Sequence, residues 1–215
     1  LILRGLGIAK QRINLIKGSG VNTVDYAPHP VRGDVPVVVL PARMLWDKGV
    51  GEFVEAANQL KKRGVNARFV LVGDPDTQNP ASVPEQQLIA WQKEGAVEWW
   101  GRREDMPQVL AQSHIVCLPS YREGLPKSLL EAASCGRPIV ATDVPGCREI
   151  VRDGDNGILV KARDATALAD ALAKLLSDPG LRKQMGQRGR ERVLCEFSQE
   201  KIIAQVLALY RETLP

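Results

Sequence analysis

A chain of 215 residues that is 44% hydrophobic and 25% charged has the make-up of a globular protein with a substantial core, which excludes a disordered or low-complexity polypeptide. Its net charge of +4, with aromatic residues at 5%, offers neither the concentrated basic face nor the stacking platforms of nucleic-acid binding, so no nucleic-acid partner is expected. There is no apolar run of about 18 residues and no signal peptide. Cys117, Cys135, Cys147 and Cys195 show no CxxC spacing and the two histidines stand apart from them, so reduced thiols, a cytoplasmic setting and no metal site are expected.

The chain opens without Met on LILRGLGIAKQRINLIKGSG, which reads as the continuation of a longer protein. Residues 1–33 are expected to be a lead-in or linker from an N-terminal domain outside this sequence. Gly18-Ser19-Gly20 after the apolar INLIK has the start of a dinucleotide fingerprint, but Thr23 stands where a third glycine belongs and no helical pattern follows, so the nicotinamide reading is weak. Residues 36–42, PVVVLPA, form a continuous apolar run of strand length, as a parallel strand covered on both faces requires. Residues 49–64 read as a helix with Phe53, Ala56, Ala57 and Leu60 on one face and Gly64 ending it.

ARFVLVG, 67–73, is the next strand, 84–95 a helix, AVEWW a short strand, and 105–113 a further helix. IVCLPS from Ile115 and RPIVAT, 137–142, are strands on either side of a helix; a turn-rich stretch and the strand NGILV, 156–160, follow. Three helices near 164–177, 179–194 and 198–213 close the chain. Alternating strands and helices over 34–197 predict a doubly wound, Rossmann-like α/β domain with a parallel sheet.

Ligands of such sheets bind at the carboxyl ends of the strands. Those ends carry Arg43, Asp47 and Lys48, then Gly73 and Asp74, then Gly101 to Arg103, then Tyr121 to Lys127, then Thr142 to Gly146. Cations, glycines and helix starts on one rim suit a diphosphate; no Ser/His/Asp or Cys/His grouping occurs. Arg43 and Lys48 read either as solvated loop charges or as an anion grip, and a lysine in the first turn of a helix opposes the macrodipole unless an anion is bound. Asp74-Pro75-Asp76 fits a turn better than a metal-binding DxD. His29 and His114 read as structural, and Trp99 and Trp100 either wall a base pocket or pack.

The most informative stretch is REGLPKSLLEAASCGRPIVAT, 122–142, in which Glu123 and Glu131 flank a Gly-Leu-Pro turn at a helix start. Unpaired amides and the positive end of the dipole make such a start a phosphate site. Eight helical residues rise about 12 Å, beyond the roughly 5 to 9.5 Å between the paired carboxylates of glycosidases. Two separate hydrogen-bonding roles therefore fit better than one acid/base pair.

KGSGVNTVDYAP, PARMLWDKG, FVLVGDPD, the 122–142 stretch with its flanks and DGDNGILV occur in that order. Together they resemble the C-terminal, donor-binding half of a retaining glycosyltransferase of family four, with the GT-B architecture, over nearly the whole chain from Asn14. The resemblance implies that Arg43 and Lys48 hold the diphosphate of a nucleotide sugar, read as UDP-linked. It implies that Glu123, with Gly124 and Leu125, meets the sugar, and that Glu131 accepts hydrogen bonds from the ribose. Gly73 lines the donor site, and backbone near Arg102 and Arg103 meets the base. Pro126 is expected to remove one amide from the phosphate nest while presetting the helix start, and Lys127 to add a charge.

No cofactor and no metal are expected, since cations and helix amides can stabilise the leaving diphosphate. The resemblance further implies transfer of a hexosyl group to a glycan or lipid-linked acceptor in bacterial surface-polysaccharide or lipopolysaccharide synthesis. The N-terminal domain would supply acceptor contacts and any approach to the inner face of the membrane. Residues 198–215 would cross back toward it, and this chain alone would transfer nothing. A GT-B sugar-nucleotide epimerase and a non-catalytic nucleotide-sugar module are the competing readings.

Overall fold

The structure, a computed structural model, describes residues 13–31 and 33–213. Residues 1–12 and 32, in the expected lead-in, and residues 214–215 lie outside the described residues. Six strands form one parallel sheet: β1 (Val37–Pro41), β2 (Arg68–Val72), β3 (Glu98–Trp99), β4 (Ile115–Leu118), β5 (Ile139–Thr142) and β6 (Gly157–Val160). Their order is β3-β2-β1-β4-β5-β6, the doubly wound arrangement expected. The chain winds outward from β1 to β3, then returns to the middle and winds the other way, so β1 and β4 flank the switch point.

Among the described residues eight α-helices accompany the sheet: α1 (Val50–Lys62), α2 (Glu85–Lys93), α3 (Met106–Gln112), α4 (Lys127–Ser134), α5 (Pro145–Arg148), α6 (Ala165–Ser177), α7 (Pro179–Glu196) and α8 (Gln199–Thr213). Successive strand side chains point to opposite faces, which explains why β1, β4 and the first three residues of β5 are apolar. Val38, Leu40, Leu71 and Cys117 join Phe53 and Leu60 of α1 and Leu168 and Leu172 of α6 in one core. Val37, Val39, Val70 and Leu118 join Val109 of α3, Leu129 and Leu130 of α4 and Val193 of α7 in the other. The turn-rich stretch after β5 differs from expectation in holding α5, four residues whose first-turn Pro145 needs no amide partner.

Residues 13–31 are joined to the domain by hydrogen bonds. Val21 donates to the Phe197 carbonyl and accepts from the Gln199 amide, both at 3.0 Å. Arg190 of α7 donates to the carbonyls of Thr23, at 3.0 Å, and Tyr26, at 3.2 Å. Gly18 and Gly20 have φ of 67° and 75°, and a Cβ on Gly20 would come within 2.8 Å of Gln199 Cα. Gly18 turns the chain over Leu125 and Gly20 sets it against the α7–α8 junction, and the turn after them leads into no helix. His114 accepts the Val37 amide on Nδ1 at 3.0 Å, a structural task at the start of β1.

Candidate functional site

At the carboxyl ends of β1, β2 and β3 a cleft of about 620 Å3 opens between the loops that follow these strands and the beginning of α4. Gly73 turns the chain out of β2 with φ 140°, and a Cβ there would stand 1.9 Å from the Ala42 carbonyl oxygen, so no other residue fits. The Gly73 amide donates to the Gly101 carbonyl and Trp99 Nε1 donates to the Gly73 carbonyl, both at 2.8 Å. Trp99 therefore pins the floor. Asp74 accepts the Arg102 amide at 2.8 Å, and Asp76 accepts from Arg43 at 2.7 Å, so the DPD turn ties the three loops together.

Arg103 holds Asp105 through two hydrogen bonds of 2.7 and 2.6 Å and lies 6.0 Å from the centre of the Trp100 ring. The hydrogen bonds from Arg103 hold the Asp105 carboxyl below its ordinary range.

Glu131, just past the first turn of α4, reaches the cleft with 7% of its surface exposed. Burial raises its pKa, while the Tyr26 hydroxyl, which donates to it, and the nearby Lys127 charge act in the opposite direction. Lys127 Nζ stands 3.6 Å from the carboxylate. The Tyr26 phenol is itself pushed well up by burial and by Glu131. No side chain caps α4, which leaves first-turn amides available to an anion.

Beside the cleft, Lys48 and Glu123 pair at 2.7 Å with side chains 21% and 10% exposed. Their loops are set by backbone contacts. Gly49, at φ 73°, lies so close to β4 that a Cβ would stand 2.2 Å from the Pro119 carbonyl oxygen, and a Cβ on Gly146 would come within 2.4 Å of that of Glu123. Ser120 Oγ and the Tyr121 amide both donate to the Asp47 carbonyl, at 3.1 and 2.9 Å, and Thr142 Oγ1 donates to the Ser120 carbonyl. Buried Cys147 lies under the pair, its thiol pushed up to about 12 by burial and then by Glu123.

Of the residues singled out in the sequence, Arg43, Gly73, Arg102, Arg103 and Glu131 line the cleft. Lys48 and Glu123 meet each other, and the two glutamates have separate partners. Gly124 faces open space, whereas the Leu125 side chain packs into the core and under Gly18.

Two local expectations are corrected. Lys48 ends a 3-10 turn, Trp46–Lys48, ahead of α1, so it does not oppose the α1 dipole from within, and Glu123 supplies its counter-charge. Pro126 is the N-cap of α4 rather than a first-turn residue, and its carbonyl accepts from the Leu129 amide at 3.1 Å. Its missing amide therefore lies outside the nest. Tyr26 was not found from sequence, because its partner is 105 positions away. Ser128 was overlooked despite lying one residue past Lys127 in a helix start already marked as a ligand site.

A doubly wound parallel domain with a polar cleft at its switch point belongs to the nucleotide-binding class of α/β folds. The sequence profile of the Glycosyl transferases group 1 family matches residues 23–192, and the chain belongs to that family. It is 34% identical, over 97% of its length and 56% of the relative's, to the N,N'-diacetylbacillosaminyl-diphospho-undecaprenol alpha-1,3-N-acetylgalactosaminyltransferase of Campylobacter jejuni. It is 30% identical to the putative glycosyltransferase EpsD of Bacillus subtilis, over 96% of this chain and 56% of EpsD.

Among solved structures, Anabaena HepE in complex with UDP superposes with a TM-score of 0.85 at 23% identity, covering 97% of this chain and 60% of that one. The C-terminal domain of a group 1 glycosyl transferase, LpcC, from Francisella tularensis gives 0.70 at 26% identity, covering 83% of this chain and 99% of that domain. The chain spans about half the length of these curated relatives. Its fold is that expected for the C-terminal half of a GT-B glycosyltransferase.

Proposed function

We propose that this domain holds the nucleoside diphosphate-sugar donor, UDP-linked, of a retaining, metal-independent transfer of a hexosyl group to a glycan or lipid-linked acceptor. The observation that carries the reading is the pairing of a buried carboxylate, Glu131, in the wall of the switch-point cleft with an uncapped helix start and the Lys48–Glu123 pair beside it. A nucleoside diphosphate has the matching parts. Its ribose hydroxyls would donate to Glu131, its diphosphate would take the α4 amides with Arg43 and Lys48, and its base would lie toward Arg102 and Arg103.

The sugar would lie beside Glu123. As the glycosidic bond breaks, negative charge grows on the diphosphate, where preorganised cations and amides stabilise it most. Lys48 then exchanges part of its contact with Glu123 for phosphate, leaving that carboxylate to orient the sugar. The Campylobacter relative, by its name, works on an undecaprenol-linked sugar, which supports a lipid-linked acceptor. No helix among the described residues is long and apolar enough to cross a membrane. Acceptor contacts and any approach to the cytoplasmic face of a membrane are assigned to another part of the full protein, and this domain alone is expected to transfer nothing.

Calorimetric titration with UDP, GDP and ADP, with and without EDTA, tests the reading. UDP is expected to bind, unaffected by EDTA and weakened about tenfold or more by Lys48→Ala, the loss of one charge-assisted hydrogen bond to phosphate. No binding of any of the three, or binding abolished by EDTA, would refute it. In the full-length protein, transfer of sugar from the preferred nucleotide separates a transferase from a binding module.

A further inference from the structure

At the opposite, amino-terminal edge of the sheet lies a second pocket of about 650 Å3, walled by residues 28–31, the chain between α4 and β5, and the start of α7. Arg137, Arg182, Lys183 and Arg190 all line it, yet none of the four forms an ion pair among the described residues. Arg137, 5% exposed, donates instead to the Leu110 and His29 carbonyls at 2.8 and 2.7 Å. Arg182 donates to those of Leu175 and Leu176 at 2.6 and 2.9 Å, and Arg190 to those of Ser134 and Tyr26 at 2.9 and 3.2 Å.

Carbonyls orient a guanidinium without cancelling its charge, and each fork has five N–H groups to share. Two acids are near. Glu191 lines the pocket and accepts from Gln187 at 3.0 Å. Asp178 caps α7 by accepting the Leu181 amide at 2.8 Å and acts on Arg182 through its charge. Burial, and then the Arg182 and Arg137 charges, lower the pKa of His114.

We propose that this pocket is a binding site for a small molecule bearing a phosphate group. Guanidinium forks match phosphate oxygens in geometry as well as charge. The N-terminus of α7 already holds the Asp178 carboxylate as its cap, so the site rests on the side-chain cations. Pro28, Pro30, Pro138 and Pro179 give the walls apolar surface for the uncharged remainder of an organic phosphate, and the volume is that of a small-molecule site.

The only two histidines of the chain, His29 and His114, line this pocket and neither lines the first cleft. Their imidazole resonances in 1H–13C NMR spectra therefore report on it alone. Inorganic phosphate and phenyl phosphate are expected to shift both signals saturably and to raise the His114 pKa as cationic charge is neutralised. Tighter binding of phenyl phosphate assigns the site to an organic phosphate, and equal binding to the free ion.

Lys183→Glu, which removes no hydrogen bond that supports the fold, is expected to weaken both about tenfold or more, as expected when a charge-assisted contact becomes repulsive. Lys48→Ala at the first cleft should leave both unchanged. Unmoved histidine signals, or equal shifts in wild type and Lys183→Glu, would overturn the proposal.

Discussion

A carboxylate as deeply set as Glu131 costs stability whenever it is charged, because the Tyr26 hydroxyl and Lys127 offset its desolvation only in part. Its pKa in the folded state lies above the ordinary 4.5. Between 4.5 and the raised value the folded protein binds more protons than the unfolded chain, so stability falls as pH rises through that window, and the penalty is fully present above it. Glu131→Gln removes the titration and keeps an acceptor for Tyr26. The melting temperature of this variant relative to wild type is therefore expected to climb as pH rises from about 4.5 to 7. A difference that is flat with pH, or that favours wild type at pH 7, would show that the buried charge is fully compensated.

At the same scale, Lys48→Ala would leave Glu123 largely buried without its counter-charge, at a cost of about 1–3 kcal/mol in chemical denaturation. Lys48→Met combined with Glu123→Gln should recover most of that loss. Gly73→Ala has no such rescue. Its Cβ would meet a backbone oxygen at 1.9 Å, so a loss of at least about 2 kcal/mol and a disordered β2 loop are expected, seen as lost protection of the amide at position 73, which donates to the Gly101 carbonyl.

Among the elements, what could be read in advance was what periodicity and length encode. The apolar run before Ala42 could only be a strand covered on both faces, and Phe53, Ala56, Ala57 and Leu60 mark one helical stripe, all four of them buried. Phe53→Ala should cost about 3–5 kcal/mol, the range for deleting a fully buried aromatic ring, measured as a lowered urea midpoint. Less legible were features of two or three residues. The 3-10 turn ending at Lys48 and the N-cap position of Pro126 depend on whether the chain enters a helix one or two residues early, a boundary that tertiary contacts decide at Gly49 and Leu129. Helix α5 was hidden because Pro145 and Gly146 are turn residues by composition, and only packing against the Glu123 loop makes them helical. The site was legible where a residue follows a strand end, as with Arg43 and Gly73. It was illegible where two distant segments meet, as Tyr26 and Glu131 do.

For the whole molecule, the order of strands matters more than any one side chain, because it brings the loops after β1, β2 and β3 and the start of α4 to one cleft. The cleft is proposed to measure a nucleoside diphosphate, with ribose at Glu131 and diphosphate at the cations and amides toward Lys48. A calorimetric comparison of UDP with 2'-deoxy-UDP, on wild type and on Glu131→Ala, tests that claim most directly. Wild type is expected to bind UDP about tenfold more tightly than the deoxy compound, because one hydrogen bond to a charged acceptor is lost, and Glu131→Ala should bind the two equally. Discrimination that persists undiminished in Glu131→Ala would contradict the assignment.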